Sequence, residues 1–138
     1  MELIPGTPRL LLDGAHNPSG VAALSEELHD FNYERLLLVT GVMYDKDVAT
    51  MLPPLARCAA KCFCVAPAIE RALSDNELAD MLKGMGVEAV ACGSVAEGLE
   101  AAGNEARPDD LILVTGSLFT VGETKAWLTG NTFRGIRG

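Results

Sequence analysis

Five short apolar runs divide the sequence, and a longer amphipathic stretch separates each run from the next. The runs cover residues 9–13, 36–42, 62–66, 87–91 and 110–115. The run at 36–42 lacks polar alternation, which is typical of a strand buried on both faces. Strands that alternate with helices of about 10–15 residues form βαβ units. The pattern therefore predicts an α/β fold: a Rossmann-like, mostly parallel sheet of about six strands flanked by helices.

Helix starts are marked between these runs. Ser74 and Ser94 are each followed three residues later by a glutamate, Glu77 and Glu97. A serine at the N-cap with a glutamate at the third helical position is the pattern of a capping box. We expect helices at residues 19–31, at 47–58, from 74 onward, at 94–106 and at 118–128.

Length and composition indicate one soluble domain that covers residues 1–138. Apolar residues make up 49% of the chain and charged residues 22%, which is ordinary for a globular protein. The net charge of −8 argues against a nucleic-acid surface, because phosphate contacts need clustered Lys and Arg. No apolar run is long enough to span a bilayer, and no charged segment precedes a signal-like core. We expect a cytoplasmic monomer without membrane contact, and a flexible tail at residues 130–138.

The cysteines suggest burial rather than metal binding. The chain has 4 of them, at Cys58, Cys62, Cys64 and Cys92. Zinc sites usually combine two closely spaced pairs of ligands, and a second pair is missing here. Cys62 and Cys64 alternate within one predicted strand, so their thiols should point to the same side of the sheet. We interpret them as core residues and expect no metal site.

Polar residues follow each predicted strand, where ligands bind in open α/β sheets. We expect the following residues to gather at that edge: Asp13, His16, Asn17, Asp45, Lys46, Asp47, Arg71 and Ser117. Asp13 can accept from a ribose hydroxyl, and His16 can donate to a phosphate or a carboxylate. Ser117 stands between a strand and a helix start, where backbone amides bind anions.

The same residues have structural interpretations. Asn17 or Ser19 can cap a helix that begins with Pro18, and acidic residues such as Asp47 favour a helix start. Ser117 can be a simple N-cap. The sequence contains no phosphate-binding loop of the form GxxxxGK[S/T] and no GxGxxG. If the protein handles ATP, the main phosphate-binding loop lies outside this chain.

Three motifs together resemble one family. They are LDGAHNP at residues 12–18, DKD at 45–47 and VTGSLFTVGE at 114–123. In this order and spacing they are similar to the C-terminal domain of folylpolyglutamate synthase/dihydrofolate synthase, within the Mur ligase superfamily. The resemblance covers roughly residues 9–129. A Pro-Gly-Arg element normally precedes the first motif. Here Pro5-Gly6 is followed by Thr7, which favours a truncated chain and leaves Arg9 as the candidate substitute for the arginine.

The resemblance implies an ATP-dependent ligase that adds L-glutamate to a folate or dihydropteroate carboxylate through an acyl phosphate. In this family a central domain carries the P-loop and the Mg²⁺ ligands, and this chain lacks that domain. The chain would be a single glutamate ligase domain that closes over ATP and excludes water. We expect the isolated domain to be inactive without its N-terminal P-loop partner.

Matching motif positions implies a role for each residue. Asp13 and His16 are the expected catalytic residues, and with Asn17 they are expected to contact the nucleotide. Lys46 and Ser117, together with His16, are expected to bind the incoming glutamate.

Two alternatives stay open. The domain could be a self-standing module that binds a nucleotide or an amino acid without catalysis. It could also be a complete small enzyme that uses His16 as a general base. The missing P-loop counts against the second alternative, because phosphoryl transfer depends on positioned cations and backbone donors.

Overall fold

A computed structural model of the protein describes residues 1–130, and the predicted tail falls outside this range except for Gly130. Six strands form one sheet in the order β1-β2-β6-β3-β4-β5. They are β1 (Glu2–Ile4), β2 (Arg9–Leu12), β3 (Leu36–Thr40), β4 (Lys61–Val65), β5 (Ala89–Gly93) and β6 (Leu111–Thr115). All neighbouring strands are parallel except β1, which pairs antiparallel with β2. The predicted fold class is confirmed.

Six α-helices flank the sheet. They are α1 (Pro18–Glu27), α2 (Val48–Met51), α3 (Pro53–Ala56), α4 (Asp75–Gly84), α5 (Val95–Glu105) and α6 (Leu118–Gly130). Ser94 and Glu97 form the complete capping box that the sequence predicts. At α4, the Ser74 hydroxyl accepts from the Glu77 amide at 3.1 Å. Both predicted helix starts are therefore confirmed.

Several boundaries differ from the sequence prediction, for example β3 ends at Thr40 and β5 at Gly93. The predicted helix at 47–58 is two short helices, because Pro53 has no amide hydrogen to continue α2 and begins α3 instead. The predicted helix at 19–31 ends at Glu27, and a 3₁₀ turn (Leu28–Asp30) follows it. The fourth predicted strand begins at Ala89 rather than residue 87, since the Val87 amide still bonds to the Leu82 carbonyl beyond the end of α4.

The core lies on both faces of the sheet. One face packs against α1 to α4 through residues such as Leu24, Met51 and Leu82. The other packs against α5 and α6 through residues such as Leu99 and Val121. Every residue of β3 and β6 is buried, as the unbroken apolar run at 36–42 predicts for β3. These central strands provide a rigid platform for the loops at their ends.

Cys62 and Cys64 lie on the same face of β4, as their spacing predicts. Both side chains are fully buried. Burial raises the pKa of each thiol to about 12. Since the thiolate is the nucleophile and the metal-binding form, these two cysteines are unreactive core residues at neutral pH.

The amino edge of the sheet is fastened by a buried ion pair. Asp110, which is 1% exposed, accepts from the Arg35 guanidinium at 2.7 Å and from the Arg107 amide at 2.8 Å. Burial alone would raise the pKa of Asp110, but the hydrogen bonds from Arg35 and Arg107 outweigh it and lower the pKa. The carboxylate is therefore held in its charged form.

In the part of the chain that the structure describes, no helix has the length and apolar character needed to cross a bilayer.

Candidate functional site

The carboxyl edge of the sheet contains a small pocket of about 210 Å³. Its lining comes from four separate segments and consists of His16, Met43, Lys46, Arg71, Ser117, Leu118 and Phe119. His16 follows β2, Lys46 follows β3, Arg71 follows β4 and Ser117 follows β6. The parallel sheet thus brings together four of the residues that the sequence places at this edge. Asp13, Asn17, Asp45 and Asp47 do not line the pocket itself.

The turn after β2 is folded by its own polar groups. Asp13 Oδ1 accepts from the Ala15 amide at 2.9 Å, and the Asp13 side chain is 19% exposed. Its other oxygen, Oδ2, lies 3.6 Å from the α-amino nitrogen of Met1. A Cβ atom at Gly14 would lie 2.6 Å from Cδ2 of the exposed Leu118 side chain, so this turn approaches the start of α6 closely.

The contact of His16 determines which ring nitrogen is free. Nδ1 lies 2.9 Å from the Gly14 carbonyl oxygen. A carbonyl can only accept, so Nδ1 carries the hydrogen in this bond. In the neutral ring Nε2 then holds a lone pair and can take up a proton. The sequence motif predicts that His16 donates to a ligand, and the geometry makes Nε2 a donor only in the protonated ring.

Asn17 is the N-cap of α1, with Pro18 at the first helical position. Its Oδ1 accepts from the Gly20 amide at 2.8 Å. This resolves the alternative between Asn17 and Ser19 as the cap. The oxygen is committed to the helix, so a nucleotide contact is left to the Nδ2 amide of this exposed side chain.

The positive groups of the pocket differ in their neighbours. The Arg71 guanidinium is exposed and pairs with Asp45 at 3.2 Å. Lys46 is half-buried, and its ammonium has no ion pair or hydrogen bond within residues 1–130. Asp47 accepts from the backbone and side chain of Thr50 and caps α2. The acidic residues around Lys46 therefore serve Arg71 and a helix end, and the lysine charge is left for a ligand.

The environment of Ser117 agrees with the structural interpretation of this residue, a simple N-cap. The residue is 2% exposed, and its Oγ accepts from the Thr120 amide at 3.0 Å. The Thr120 hydroxyl donates to the Gly41 carbonyl at 2.8 Å, so the hydrogen between the two hydroxyls, which are 2.8 Å apart, comes from Ser117. The Ser117 hydroxyl is thus an N-cap whose hydrogen is already used, and it does not offer a free donor to a carboxylate.

The free donors at this wall are backbone amides. Leu118 and Phe119 occupy the first two positions of α6, where amides have no acceptor within the helix. None of the described residues accepts from them. The sequence places these amides next to Ser117 at a helix start, where backbone amides bind anions. It did not reveal the role of Thr120, although the Ser-x-x-Thr spacing at a helix start was available as a signal.

Arg9 does not take part in this site. It begins β2 at the amino edge, and its guanidinium donates to the backbone carbonyl of Asn32. It lines a wider cavity of about 640 Å³ on that side of the sheet. Arg9 therefore cannot replace the missing arginine of the Pro-Gly-Arg element at the carboxyl edge, because the length of the strand separates it from His16.

The residues at the carboxyl edge do not form a metal site by themselves. Across residues 1–130 there is no group of three or more His, Cys, Asp or Glu side chains placed to hold an ion. Divalent cations need several such ligands around one point. A metal that takes part in this site needs ligands from elsewhere.

Comparison with known proteins identifies relatives. The family model described as "Mur ligase, glutamate ligase domain" matches residues 1–118. A probable bifunctional folylpolyglutamate synthase/dihydropteroate synthase of Haloferax volcanii is 37% identical over 93% of this chain, which covers 15% of that protein. The folylpolyglutamate synthase of Lacticaseibacillus casei is 32% identical over 94% of the chain, which covers 29% of it.

Solved structures share the fold. E. coli FolC in complex with DHPP and ADP has a TM-score of 0.85 and 27% identity, with 94% of this chain and 30% of that chain covered. A bifunctional folylpolyglutamate synthase/dihydrofolate synthase with Mn, AMPPNP and L-glutamate bound has a TM-score of 0.84 and 29% identity, with 93% and 30% covered. The chain thus spans less than a third of each of these relatives. It belongs to the Mur ligase family as a glutamate ligase domain.

Proposed function

We propose that this chain is the C-terminal domain of an ATP-dependent ligase that joins L-glutamate to a folate or dihydropteroate carboxylate. The observation that carries the proposal is the half-buried, unpaired Lys46 ammonium, which lines a small pocket together with His16 and the start of α6. A pocket with an unpaired cation and free helix amides favours a small anion. The relatives support the same assignment, since one solved synthase holds L-glutamate and a nucleotide analogue.

L-Glutamate has two carboxylates, and the pocket offers two kinds of anion site. Lys46 provides a point charge, and the amides of Leu118 and Phe119 provide donors at a helix N-terminus. Arg71 adds a second cation, although Asp45 already neutralises part of its charge. Ser117 supports the site by capping α6 and so orienting those amides.

The proposed reaction has two steps. A carboxylate oxygen of the folate or dihydropteroate substrate attacks the γ-phosphorus of ATP, and the bond from that phosphorus to ADP breaks. The glutamate nitrogen then attacks the acyl carbon of the acyl phosphate, and inorganic phosphate leaves with the electrons of the C–O bond. His16 Nε2, with Nδ1 anchored to the Gly14 carbonyl, accepts the proton that the nitrogen loses.

Asp13 and Asn17 are assigned to the nucleotide. Asp13 Oδ2 makes no hydrogen bond to residues 1–130, and it can accept from a ribose hydroxyl. Asn17 Nδ2 projects from the exposed start of α1 as a donor. Both side chains lie beside His16 rather than in the small pocket, so ATP and glutamate would approach His16 from two sides.

A P-loop and Mg²⁺ belong to the rest of the proposed enzyme. No metal cluster exists within residues 1–130, and none of the steps above depends on a metal held by this chain. We propose that an N-terminal P-loop domain of the same protein supplies both the phosphate-binding loop and the metal ligands. Closure of the two domains would exclude water, which otherwise hydrolyses an acyl phosphate. A cytoplasmic location and a monomeric state stay predictions from the sequence.

Incorporation of labelled L-glutamate tests the proposal. The protein that includes the P-loop domain is expected to form a labelled folate or pteroate amide only when ATP is present. The isolated 138-residue chain is expected to form none. Amide formation by the isolated chain would overturn the proposal that the active site is shared with a P-loop domain. If the larger protein added glutamate to neither a folate nor a dihydropteroate, the proposed reaction would be overturned.

A further inference from the structure

The four segments that line the pocket are tied to one another by hydrogen bonds. The Gly116 amide donates to the Ala15 carbonyl, which connects the start of α6 to the turn that carries His16. The Thr120 hydroxyl connects α6 to Gly41 after β3. The Tyr44 amide donates to the Arg71 carbonyl at 2.7 Å and connects the loop after β3 to the loop after β4.

Glu123 completes this ring. Its Oε2 accepts from the Ala68 amide at 2.6 Å and so connects α6 to the loop after β4. Glu123 is half-buried, whereas Ala68 is exposed. The residue ends the third sequence motif, yet the reaction proposed above gives it no part.

The loop after β4 is attached at both ends, and at its start the Ala66 amide also donates to the Gly93 carbonyl at 2.8 Å. Its far end is held by the Tyr44–Arg71 bond, by the Leu73 amide on the Val42 carbonyl at 2.9 Å and by a bridge between Met43 and Ala72. Its near end, where Ala68 precedes Arg71 by three residues, is held to α6 by Glu123. Two attachments on opposite sides of Arg71 restrict how this side chain reaches the pocket.

We propose that Glu123 is a positioning residue for the glutamate-binding pocket: it holds the Arg71 loop at a defined distance from the start of α6. The inference rests on the proposed function for the identity of the ligand. Its structural content, the attachment of the loop to α6, is independent of the ligand. Glu123 is not part of the pocket lining and acts through the loop.

Three substitutions at this position separate length from charge. Glu123→Ala removes the acceptor. Glu123→Asp keeps the charge but shortens the side chain, and Glu123→Gln keeps the length and an acceptor oxygen but loses the charge. Glu100→Ala is the matched control, because Glu100 is an exposed helical glutamate on α5 outside the pocket lining.

Two measurements on the ligase that contains this domain test the proposal. We expect Glu123→Ala and Glu123→Asp to raise the KM for L-glutamate about fivefold, with kcat and the KM for ATP within about twofold. Glu123→Gln should stay close to the wild type, and Glu100→Ala should have no effect. Amide hydrogen exchange without ligands should be faster at residues 68–71 in the first two variants and unchanged in the other two.

The two readouts distinguish the possible failures. Unchanged exchange at residues 68–71 in both Glu123→Ala and Glu123→Asp would overturn the attachment. Faster exchange with an unchanged KM for L-glutamate would overturn the positioning role. If the wild-type enzyme does not use L-glutamate, the proposed function fails, and the exchange data alone decide whether Glu123 holds the loop.

Discussion

The two edges of the sheet use their polar groups in opposite ways. At the amino edge, Asp110 is buried and accepts from Arg35 and Arg107. At the carboxyl edge, the Lys46 ammonium and the first amides of α6 have no partner among residues 1–130. The buried Thr40 hydroxyl, at the end of β3, likewise has none in that range.

Some of the large exposed apolar side chains also lie at the carboxyl edge, whereas others, such as Met81 on α4, lie elsewhere. Leu118, Phe119 and Tyr44 are 65%, 45% and 63% exposed, and all three belong to the carboxyl-edge segments that form or adjoin the pocket. Large exposed apolar residues beside unpaired polar groups are typical of binding sites rather than of stable surface. The difference teaches that the polar groups of the amino edge are used to stabilise the fold, whereas those of the carboxyl edge are left unbonded among residues 1–130, as the proposed function requires of a binding site.

The largest expected effect concerns the buried ion pair at the amino edge. Asp110→Ala removes the buried carboxylate and leaves Arg35 and the Arg107 amide without their acceptor. We expect the free energy of unfolding to fall by about 3 kcal/mol, as measured by urea denaturation. Asp109→Ala is the control, because that side chain is exposed. An equal loss in both variants would remove the distinction between a buried ion pair and ordinary surface charge.

The same ion pair predicts a pH dependence. The pKa of Asp110 is lowered in the folded protein, so its contribution is fully present above the unfolded value of about 3.9. That contribution is lost as the pH falls through the lower, folded-state pKa. Asp110→Ala should therefore weaken the acid dependence of unfolding below about pH 4. If the free energy of unfolding of Asp110→Ala still falls below pH 4 as it does in the wild type, other carboxylates control this acid dependence.

The next largest effect concerns His16 at the carboxyl edge. His16→Ala removes the Nε2 acceptor, and in the complete ligase we expect kcat to fall about 10²-fold or more. His29→Ala is the control, since the His29 side chain is 74% exposed and lies in the 3₁₀ turn after α1. Urea denaturation should show little change for either variant. A near-normal rate for His16→Ala would make the first motif a structural turn.

A smaller effect concerns the unpaired cation. Lys46→Ala should raise the KM for L-glutamate about tenfold, because one charge-assisted contact is lost while the reacting groups stay in place. Initial rates at varied glutamate concentration measure it. Lys83→Ala serves as the control, because Lys83 is exposed in the last turn of α4. If the two lysine variants behaved alike, Lys46 would belong with the solvated surface charges.

The smallest effect separates a helix cap from a nucleotide contact. Asn17→Ala should lower the free energy of unfolding by about 1 kcal/mol, and Asn17→Ser should restore it. If Asn17→Ala raises the KM for ATP and Asn17→Ser returns that KM to the wild-type value, Asn17 acts only as the cap of α1. If the KM for ATP stays raised in Asn17→Ser, the Nδ2 amide contacts the nucleotide. Unchanged stability in Asn17→Ala would contradict the cap assignment.

Much of the fold could be predicted because burial leaves a local pattern in the sequence. The apolar runs marked β2 to β6, and Ser74 and Ser94 marked helix starts. Strand β1 was not predicted from the sequence, because two of its three residues, Glu2 and Leu3, are exposed and show no apolar pattern. The break between α2 and α3 could have been predicted from Pro53 and Pro54, because proline lacks the amide hydrogen that a helix interior needs.

The candidate site was predictable as a set of residues but less so as a set of contacts. The sequence placed His16, Lys46, Arg71 and Ser117 at one edge, and the structure brings them to one pocket. It could not reveal that the hydrogen of the Ser117 hydroxyl is already used. That conclusion depends on the bond from Thr120 to Gly41, which are 79 residues apart in the chain.

The sequence by itself determined the alternation of strands and helices, the polar residues at the strand ends and the three family motifs, because each is encoded in residues that are close together in the chain. Only the tertiary structure decided which polar groups are already bonded. Asp110 and Ser117 are satisfied inside the fold, whereas Lys46 and the amides of α6 are not. The physical reason is that a hydrogen bond is set by distance in space, and segments far apart in the chain meet only when the sheet assembles.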